Sequence, residues 1–260
     1  MRMWSRQNFL PMENKRPASG NVEFREPFPV SGEWSLEEIR MHRKAIVFDM
    51  DGVLFDTERL LQDSWITVAR KHGLSGMEEI FPRCIGLNAN DSRQLVMAAY
   101  GPDFDYQGFR GEASEHFWKY IEEKGLPIKP GVEELLQWLE HEGWSVGLAS
   151  STRRESVMEH LKRAGIGHYF SVVVTGDMVE HSKPRPDIYL LACEMLGADP
   201  RKTFAVEDSP NGVRSAHAAG MSCLTVPDMI APDREIKELS TEIFRDLTQV
   251  LAYLQGQQYA

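Results

Sequence analysis

The sequence predicts an α/β fold in which a parallel sheet forms the core and an all-helical cap domain is inserted into it. Three observations support this prediction. Short apolar runs alternate with amphipathic helical patterns, one long interval contains helical patterns alone, and polar side chains follow several of the predicted strands. The 260 residues are 42% hydrophobic and 26% charged, which is typical of a globular chain that can bury a sizeable core.

The first strong element is the apolar run 45–48, which follows Lys44 and ends at Asp49-Met50-Asp51-Gly52. It reads as a buried strand that enters a glycine-bearing loop. Similar apolar runs follow at 145–149, 172–175, 204–206 and 223–226. Helical patterns alternate with these runs, at 132–141, 154–164, 186–196 and 212–219. This alternation predicts a Rossmann-like parallel sheet with helices on both faces.

The interval 57–128 breaks the alternation, because it contains helical patterns and no convincing strand. Apolar residues that include Leu60 and Trp65 give its first helix a broad apolar face. Asp91 can cap a second helix, and a third runs over 109–124. The predicted domains are therefore a core made of 44–56 and 129–257, and a helical cap made of 57–128.

Residues 1–43 differ from the rest of the chain, with four prolines and scattered charges. We expect a mostly irregular N-terminal extension with one short helix, since Ser35-Leu36-Glu37-Glu38 has a capping-box pattern. An alternative is that translation begins at Met12 or Met41, because the strong pattern starts directly afterwards.

Charge and cysteine usage limit the partners and the compartment. The chain has 29 basic and 39 acidic residues, a net charge of −10, so we expect no binding to nucleic acid or to anionic membranes. Its apolar stretches fall short of the ~18 residues that a membrane helix needs. The cysteines Cys84, Cys193 and Cys223 form no CxxC pair, which favours a reducing cytoplasm over a disulfide framework or a zinc site. We expect a cytoplasmic monomer or weak homo-oligomer.

Chemistry-bearing side chains follow four of the predicted strands or the segments after them. In doubly wound sheets, ligands bind at the carboxyl ends of the strands. Those ends here carry acids, hydroxyls and one lysine, at Asp49, Asp51, Ser150, Ser151, Lys183, Glu207 and Asp208. Each feature occurs alone by chance in many proteins, whereas their order at four strand ends makes coincidence implausible.

This set of side chains favours phosphoryl chemistry. Clustered carboxylates repel one another unless a cation neutralises them, and an all-oxygen ligand set suits Mg²⁺. The hydroxyls and amides at Ser150 and Ser151 suit phosphate oxygens. Lys183 can offset the charge of the aspartates or of an anionic substrate. Of Asp49 and Asp51, one could attack while the other handles a proton.

Four segments together carry a resemblance to a known family. In order along the chain, residues 45–58, 147–151, 182–189 and 206–213 resemble the four motifs of the haloacid dehalogenase superfamily. The match spans roughly residues 44–228. The residues of these motifs are most similar to those of the β-phosphoglucomutase-like branch, whose members carry a helical cap between the first two motifs.

The resemblance implies that Asp49 is the nucleophile and forms an aspartyl-phosphate. Asp51 would protonate the leaving group and then activate water. Dehalogenases and phosphonate-cleaving members of the superfamily lack an acid two residues after the nucleophile, so Asp51 argues against both of those activities.

The resemblance also implies a Mg²⁺ site and a phosphate site. The Asp49 side chain, the Asp51 backbone carbonyl and Asp208 would hold Mg²⁺, with Glu207 helping directly or through water. Ser150 would bind the phosphoryl group, with Ser151 beside it. Lys183 would orient that group and balance its charge.

The choice between phosphatase and mutase rests on the predicted cap. β-Phosphoglucomutases carry a histidine where this chain has Leu61, and an arginine in the loop where it has Ala89, next to Asn88. We therefore expect these three positions to bear on substrate specificity, and we expect hydrolysis of a small phosphorylated metabolite such as a sugar phosphate. The alternatives are a phosphosugar mutase whose base comes from elsewhere in the cap, and a non-catalytic metabolite-sensing or interaction protein. The intact Asp49 and Asp51 argue against the last.

Overall fold

The structure, a computed structural model, describes residues 44–87 and 89–257. The predictions for the extension 1–43, including its short helix and the alternative start sites, lie outside the described residues. So does Asn88.

Six parallel strands form one sheet in the order β3-β2-β1-β4-β5-β6. They are β1 (Ala45–Phe48), β2 (Ser145–Ser150), β3 (Val172–Thr175), β4 (Thr203–Glu207), β5 (Ser222–Thr225) and β6 (Glu242–Ile243). The five strands expected from the sequence are present, and the α/β fold class is confirmed. β6 was not predicted, because it is only two residues long and both are exposed.

Helices connect the strands. Those between β1 and β2 are α1 (Thr57–Lys71), α2 (Met77–Ile80), α3 (Ala89–Tyr100), α4 (Tyr106–Lys124) and α5 (Val132–His141). The later ones are α6 (Arg154–Ala164), α7 (Asp187–Leu196), α8 (Pro210–Ala218), α9 (Arg234–Leu239) and α10 (Leu247–Gln257). α4 begins before the predicted Phe109, because Asp105 caps it by accepting a hydrogen bond from the Gly108 amide at 3.0 Å.

Side chains of β1 alternate between two apolar cores, as the period of a strand requires. Ile46 and Phe48 pack on one face of the sheet with side chains from α5, α6 and α10. Val47 packs on the other face with side chains from α7, α8 and α9. The central strand is therefore buried on both sides, which explains its continuous apolar run.

The segment 57–124, which we call the helical insertion, has an apolar core of its own that includes Trp65, Phe81 and Phe109. The segment that enters the insertion and the segment that leaves it are hydrogen-bonded to each other: the Asp56 amide donates to the Pro127 carbonyl at 3.0 Å. An all-helical segment thus occupies the predicted place, and its status as a separate domain stays a prediction.

Two further expectations concern cysteines and membranes. Cys84, Cys193 and Cys223, which were not expected to form a disulfide framework, are free, and all three are buried. Within residues 44–87 and 89–257, none of the helices combines the length and the apolar character needed to cross a membrane.

Candidate active site

The carboxyl ends of β1, β2 and β4 face a cavity of about 510 Å³ that the helical insertion covers. Asp49, Asp51 and Asp208 line it on the side of the sheet. Leu61 and Ala89 line it on the side of the insertion, so the two described positions expected to bear on specificity do face the same space as the aspartates.

A buried lysine joins two carboxylates beneath this cavity. Lys183 is 1% exposed, and its ammonium donates to Asp49 Oδ1, to Glu207 Oε1 at 2.6 Å and to the Ala149 carbonyl at 3.1 Å. Burial alone would lower the pKa of Lys183, but the two carboxylates raise it above its usual value, so the ammonium stays charged. Burial raises the pKa of Asp49 to about 8, and Lys183 opposes that shift.

Glu207 is fully enclosed by hydrogen-bond donors. Its Oε1 also accepts from the Tyr189 hydroxyl at 2.6 Å, and its Oε2 accepts from the amides of Asp208 at 3.1 Å and Ser209 at 3.3 Å. Gly212 lies so close that a Cβ there would overlap the Glu207 carboxylate. The structure thus places Glu207 as an anchor for Lys183, while its role as a metal ligand stays a prediction.

Two threonine hydroxyls hold the carboxylate of Asp51. Thr57, at the start of α1, donates to Oδ1 at 2.5 Å, and Thr152, after β2, donates to Oδ2 at 2.8 Å. Both oxygens are therefore fixed at the cavity wall. Sequence reasoning gave neither threonine a role, although Thr57 lies in the first motif and could have been examined for that reason.

The predicted phosphate-binding serines differ in position. Ser150 is fully buried, and its hydroxyl accepts from the Thr152 amide at 3.1 Å. Ser151 lines the cavity, and its hydroxyl donates to the Gly86 carbonyl of the helical insertion at 3.1 Å. In this structure Ser151 and Thr152 are thus the hydroxyl residues of this loop that line the cavity, and the phosphate role of Ser150 stays a prediction.

An acidic cluster that the sequence did not reveal adjoins Asp208. Carboxylate oxygens of Glu58, Asp208 and Asp228 all lie within 4.8 Å of one another. Glu58 Oε2 and Asp228 Oδ2 are buried, and no hydrogen-bond partner for either is found among the described residues. Burial raises the pKa of Glu58 and Asp208, and the neighbouring carboxylates raise both further. The donor set is entirely oxygen, and two of its carboxylate oxygens have no partner, so it fits Mg²⁺.

Asp228 also contacts the start of the helical insertion and the segment that follows it. Its Oδ1 accepts from Arg59 of α1 at 3.0 Å and from Lys129 of the returning segment at 2.8 Å. Sequence reasoning missed Asp228, because it lies in a loop after β5 with no motif around it, and its partners are distant in sequence.

The arrangement of a parallel α/β sheet, two aspartates at the end of its central strand and a helical insertion above them is the one expected of a phosphoryl-transfer hydrolase. Residues 46–226 match the family described as haloacid dehalogenase-like hydrolase. The match covers more than half of the chain, so the chain belongs to the haloacid dehalogenase-like hydrolases and is an enzyme of that family.

Known proteins related to this chain include phosphatases and a mutase. The chain is 35% identical over 178 residues to the phosphorylated carbohydrates phosphatase of Thermotoga maritima, covering 68% of this chain and 82% of that protein. It is 28% identical over 225 residues to the β-phosphoglucomutase of Bacillus subtilis, covering 83% of this chain and 96% of that one. The solved structure of CbbY from Rhodobacter sphaeroides in complex with phosphate shares the fold, with a TM-score of 0.68, 24% identity and coverage of 80% and 96%.

Proposed function

We propose that this protein is a Mg²⁺-dependent phosphatase that hydrolyses a small phosphorylated carbohydrate through an aspartyl-phosphate on Asp49. One observation carries the proposal. Asp49 lies at the end of β1 with Lys183 bound to it, and it lines the same cavity as Asp51. The relative that acts on phosphorylated carbohydrates supports the substrate class.

The proposed reaction uses the two aspartates in turn. A carboxylate oxygen of Asp49 forms a bond to phosphorus while the bond to the sugar oxygen breaks, and Asp51 gives that oxygen a proton. Asp51, now ionised, takes a proton from water, whose oxygen attacks the phosphorus and returns Asp49 as a free carboxylate. Thr57 and Thr152 hold both oxygens of Asp51, which keeps the carboxyl group at the wall of the cavity.

Lys183 supplies positive charge to this reaction, and Mg²⁺ would add to it. Lys183 balances the negative charges of Asp49 and Glu207. Its hydrogen bond to Asp49 holds the proposed nucleophile in place, and its hydrogen bond to Glu207 holds the ammonium. Asp49, the Asp51 backbone carbonyl and Asp208 would hold Mg²⁺, with Glu58 and Asp228 adjoining it. When bound, the metal would offset the negative charge of the phosphoryl oxygens.

A phosphosugar mutase is the second candidate, and the B. subtilis relative favours it. A mutase must keep its bisphosphate intermediate from water. Leu61 and Ala89, which line the cavity, lack the groups that the mutases carry at these positions. Their side chains can neither titrate nor bind a phosphate, which supports hydrolysis.

The testing experiment is phosphate release from a panel of phosphorylated carbohydrates, with and without Mg²⁺. We expect release that requires Mg²⁺ and that Asp49→Asn abolishes. Asp103→Asn, at an exposed acid that does not line the cavity, is the matched control and should keep the wild-type rate. An undiminished rate in Asp49→Asn would exclude the proposed nucleophile. Conversion of β-glucose 1-phosphate to glucose 6-phosphate with a bisphosphate primer, without phosphate release, would establish the mutase.

A further inference from the structure

A buried histidine in the wall of the cavity takes no part in the proposed reaction. His160 lies in α6, four residues after Ser156, so the two side chains share one face of that helix, and both line the cavity. α6 follows the loop at the end of β2 that carries Ser151 and Thr152. This part of the cavity wall therefore comes from a helix that follows β2 and not from the helical insertion.

Three aromatic rings hold the imidazole of His160 in place. Its centre lies 5.8 Å from that of Phe55, 5.9 Å from that of Phe117 and 5.2 Å from that of Trp118, and the residue is 3% exposed. Phe117 and Trp118 belong to α4, whereas the backbone of Phe55 pairs with that of Asp51. The ring is thus fixed from both sides, beside the loop that carries Asp51.

Both ring nitrogens of His160 are buried without a partner. Neither Nδ1 nor Nε2 makes a hydrogen bond to any residue of 44–87 or 89–257. Burial lowers the pKa of His160, and the charge of Asp51 opposes that shift, so the ring is neutral at neutral pH. A neutral imidazole has one N–H donor and one lone pair, and leaving both unpaired in the interior is unfavourable. A ligand in the cavity can supply the partner.

The chemistry of a neutral imidazole indicates which group that partner is. A phosphate or carboxylate offers only acceptors, so it would leave the lone pair of the ring unmatched. A hydroxyl group both donates and accepts, and it can therefore pair with either nitrogen. Hydroxyl groups are the most abundant polar groups of a carbohydrate. Leu61 and Ala89, in the helical insertion, line the same cavity and have no polar side-chain atom to offer.

We propose that His160 binds a hydroxyl group of the substrate and is a specificity-determining residue. Because Phe55 lies between the His160 ring and the backbone of Asp51, the hydroxyl is one near the sugar oxygen that Asp51 protonates. His160 transfers no proton in this role, and it selects substrates that carry the hydroxyl over those that lack it. The inference rests on the proposed function for the identity of the substrate as a phosphorylated carbohydrate.

Binding to the Asp49→Asn variant tests the proposal without turnover. Calorimetry with Mg²⁺ present would compare two sets of probes that differ only in hydroxyl groups. The first set is glucose 6-phosphate with its 2-deoxy, 3-deoxy and 4-deoxy analogues, and the second is glycerol 3-phosphate with propyl phosphate. We expect the parent of at least one set to bind about three- to tenfold more tightly than an analogue, which is the contribution of one neutral hydrogen bond.

Removing the ring nitrogens should remove the preference. In the same background, His160→Phe keeps an aromatic ring against Phe55, Phe117 and Trp118, and it should weaken the parent to the affinity of the analogue. His160→Asn and His160→Gln each keep a donor and an acceptor, near the positions of Nδ1 and Nε2, and one of them should retain the preference. His141→Phe is the matched control and should leave it unchanged, because His141 is exposed and does not line the cavity.

Thermal unfolding of the free protein separates ligand binding from structural support. His160→Phe removes two buried nitrogens that have no partner, so its melting temperature should equal or exceed that of the wild type. A clearly lower melting temperature, with affinity lost equally for parents and analogues, would show that the ring nitrogens support the fold and would overturn the proposal.

Two further results would overturn it: no preference for the parent in either set, or a preference that His160→Phe leaves intact. Failure of the proposed function is distinguishable from all three. In that case the wild type releases no phosphate from any probe, while the preference for the hydroxyl and its dependence on His160 remain measurable.

Discussion

Tyr189 shows how a single buried hydroxyl supports the site. Its side chain is fully buried, and its hydroxyl donates to Glu207, which in turn holds Lys183 against Asp49. Hydrogen bonds to charged groups contribute about 1.5–3 kcal/mol. We therefore expect Tyr189→Phe to lower the free energy of unfolding by about 2 kcal/mol, measured by urea denaturation.

Tyr120→Phe provides the matched control, because Tyr120 is 43% exposed. Its unfolding free energy should stay within about 0.5 kcal/mol of the wild type. If both tyrosine variants unfolded at the urea midpoint of the wild type, the hydrogen bond from Tyr189 to Glu207 would contribute nothing to the free energy of unfolding. That result would contradict the proposed role of Tyr189.

Individual site residues differed in how readily the sequence revealed them. Asp49 lies at a strand end and Lys183 lies in the segment that follows another strand, and both belong to recognisable motifs, so they could be placed near each other before the fold was known. Thr152 and Asp228 could not, because each acts through a partner far away in sequence: Thr152 contacts Asp51, and Asp228 contacts Arg59. A pattern of neighbouring residues carries no information on such pairs.

At the scale of elements, the site depends on how closely α8 approaches β4. Gly212 in the first turn of α8 faces the Glu207 carboxylate at the end of β4, with no room for a Cβ. Gly212→Ala must therefore displace either the helix or the carboxylate. We expect a loss of about 2 kcal/mol or more in unfolding free energy, together with a large loss of phosphatase activity.

Gly256→Ala separates this steric effect from the general effect of replacing a helical glycine. Gly256 lies in α10, with open space where a Cβ would be. Its substitution should stabilise the protein by up to about 1 kcal/mol, because alanine favours helices. Thermal unfolding of the two variants gives the comparison, and a Gly212→Ala variant as stable as the wild type would contradict the close packing.

The order of elements was more predictable than their ends. The helical insertion and the five longer strands follow from apolar periodicity, which extends over many residues. β6 and the start of α4 do not, because a two-residue exposed strand has no apolar pattern and a cap depends on one side chain, here Asp105. Local hydrogen bonds decide such boundaries.

For the whole molecule, the acidic cluster links metal binding to stability. Glu58, Asp208 and Asp228 bring like charges together in the folded state only, so a cation that binds them should stabilise the fold. At a Mg²⁺ concentration of 100 times the dissociation constant, the gain would be about 2.7 kcal/mol. We expect Mg²⁺ to raise the melting temperature of the wild type and to raise it much less in Asp208→Asn.

Asp103→Asn again serves as the control for this measurement, and it should keep the full effect of Mg²⁺ on melting. Equal shifts in the wild type and in Asp208→Asn would show that Mg²⁺ acts elsewhere on the protein. That result would remove Asp208 from the proposed metal site.

The central claim is that Asp49 accepts the phosphoryl group, and acid quenching during turnover tests it most directly. Peptides from the quenched enzyme would be mapped by mass spectrometry for an added phosphoryl group. We predict an acid-stable, hydroxylamine-sensitive phosphoryl group on the peptide that contains Asp49, and none in Asp49→Asn. Steady phosphate release from the wild type with that peptide always unmodified, together with undiminished release from Asp49→Asn, would contradict the claim.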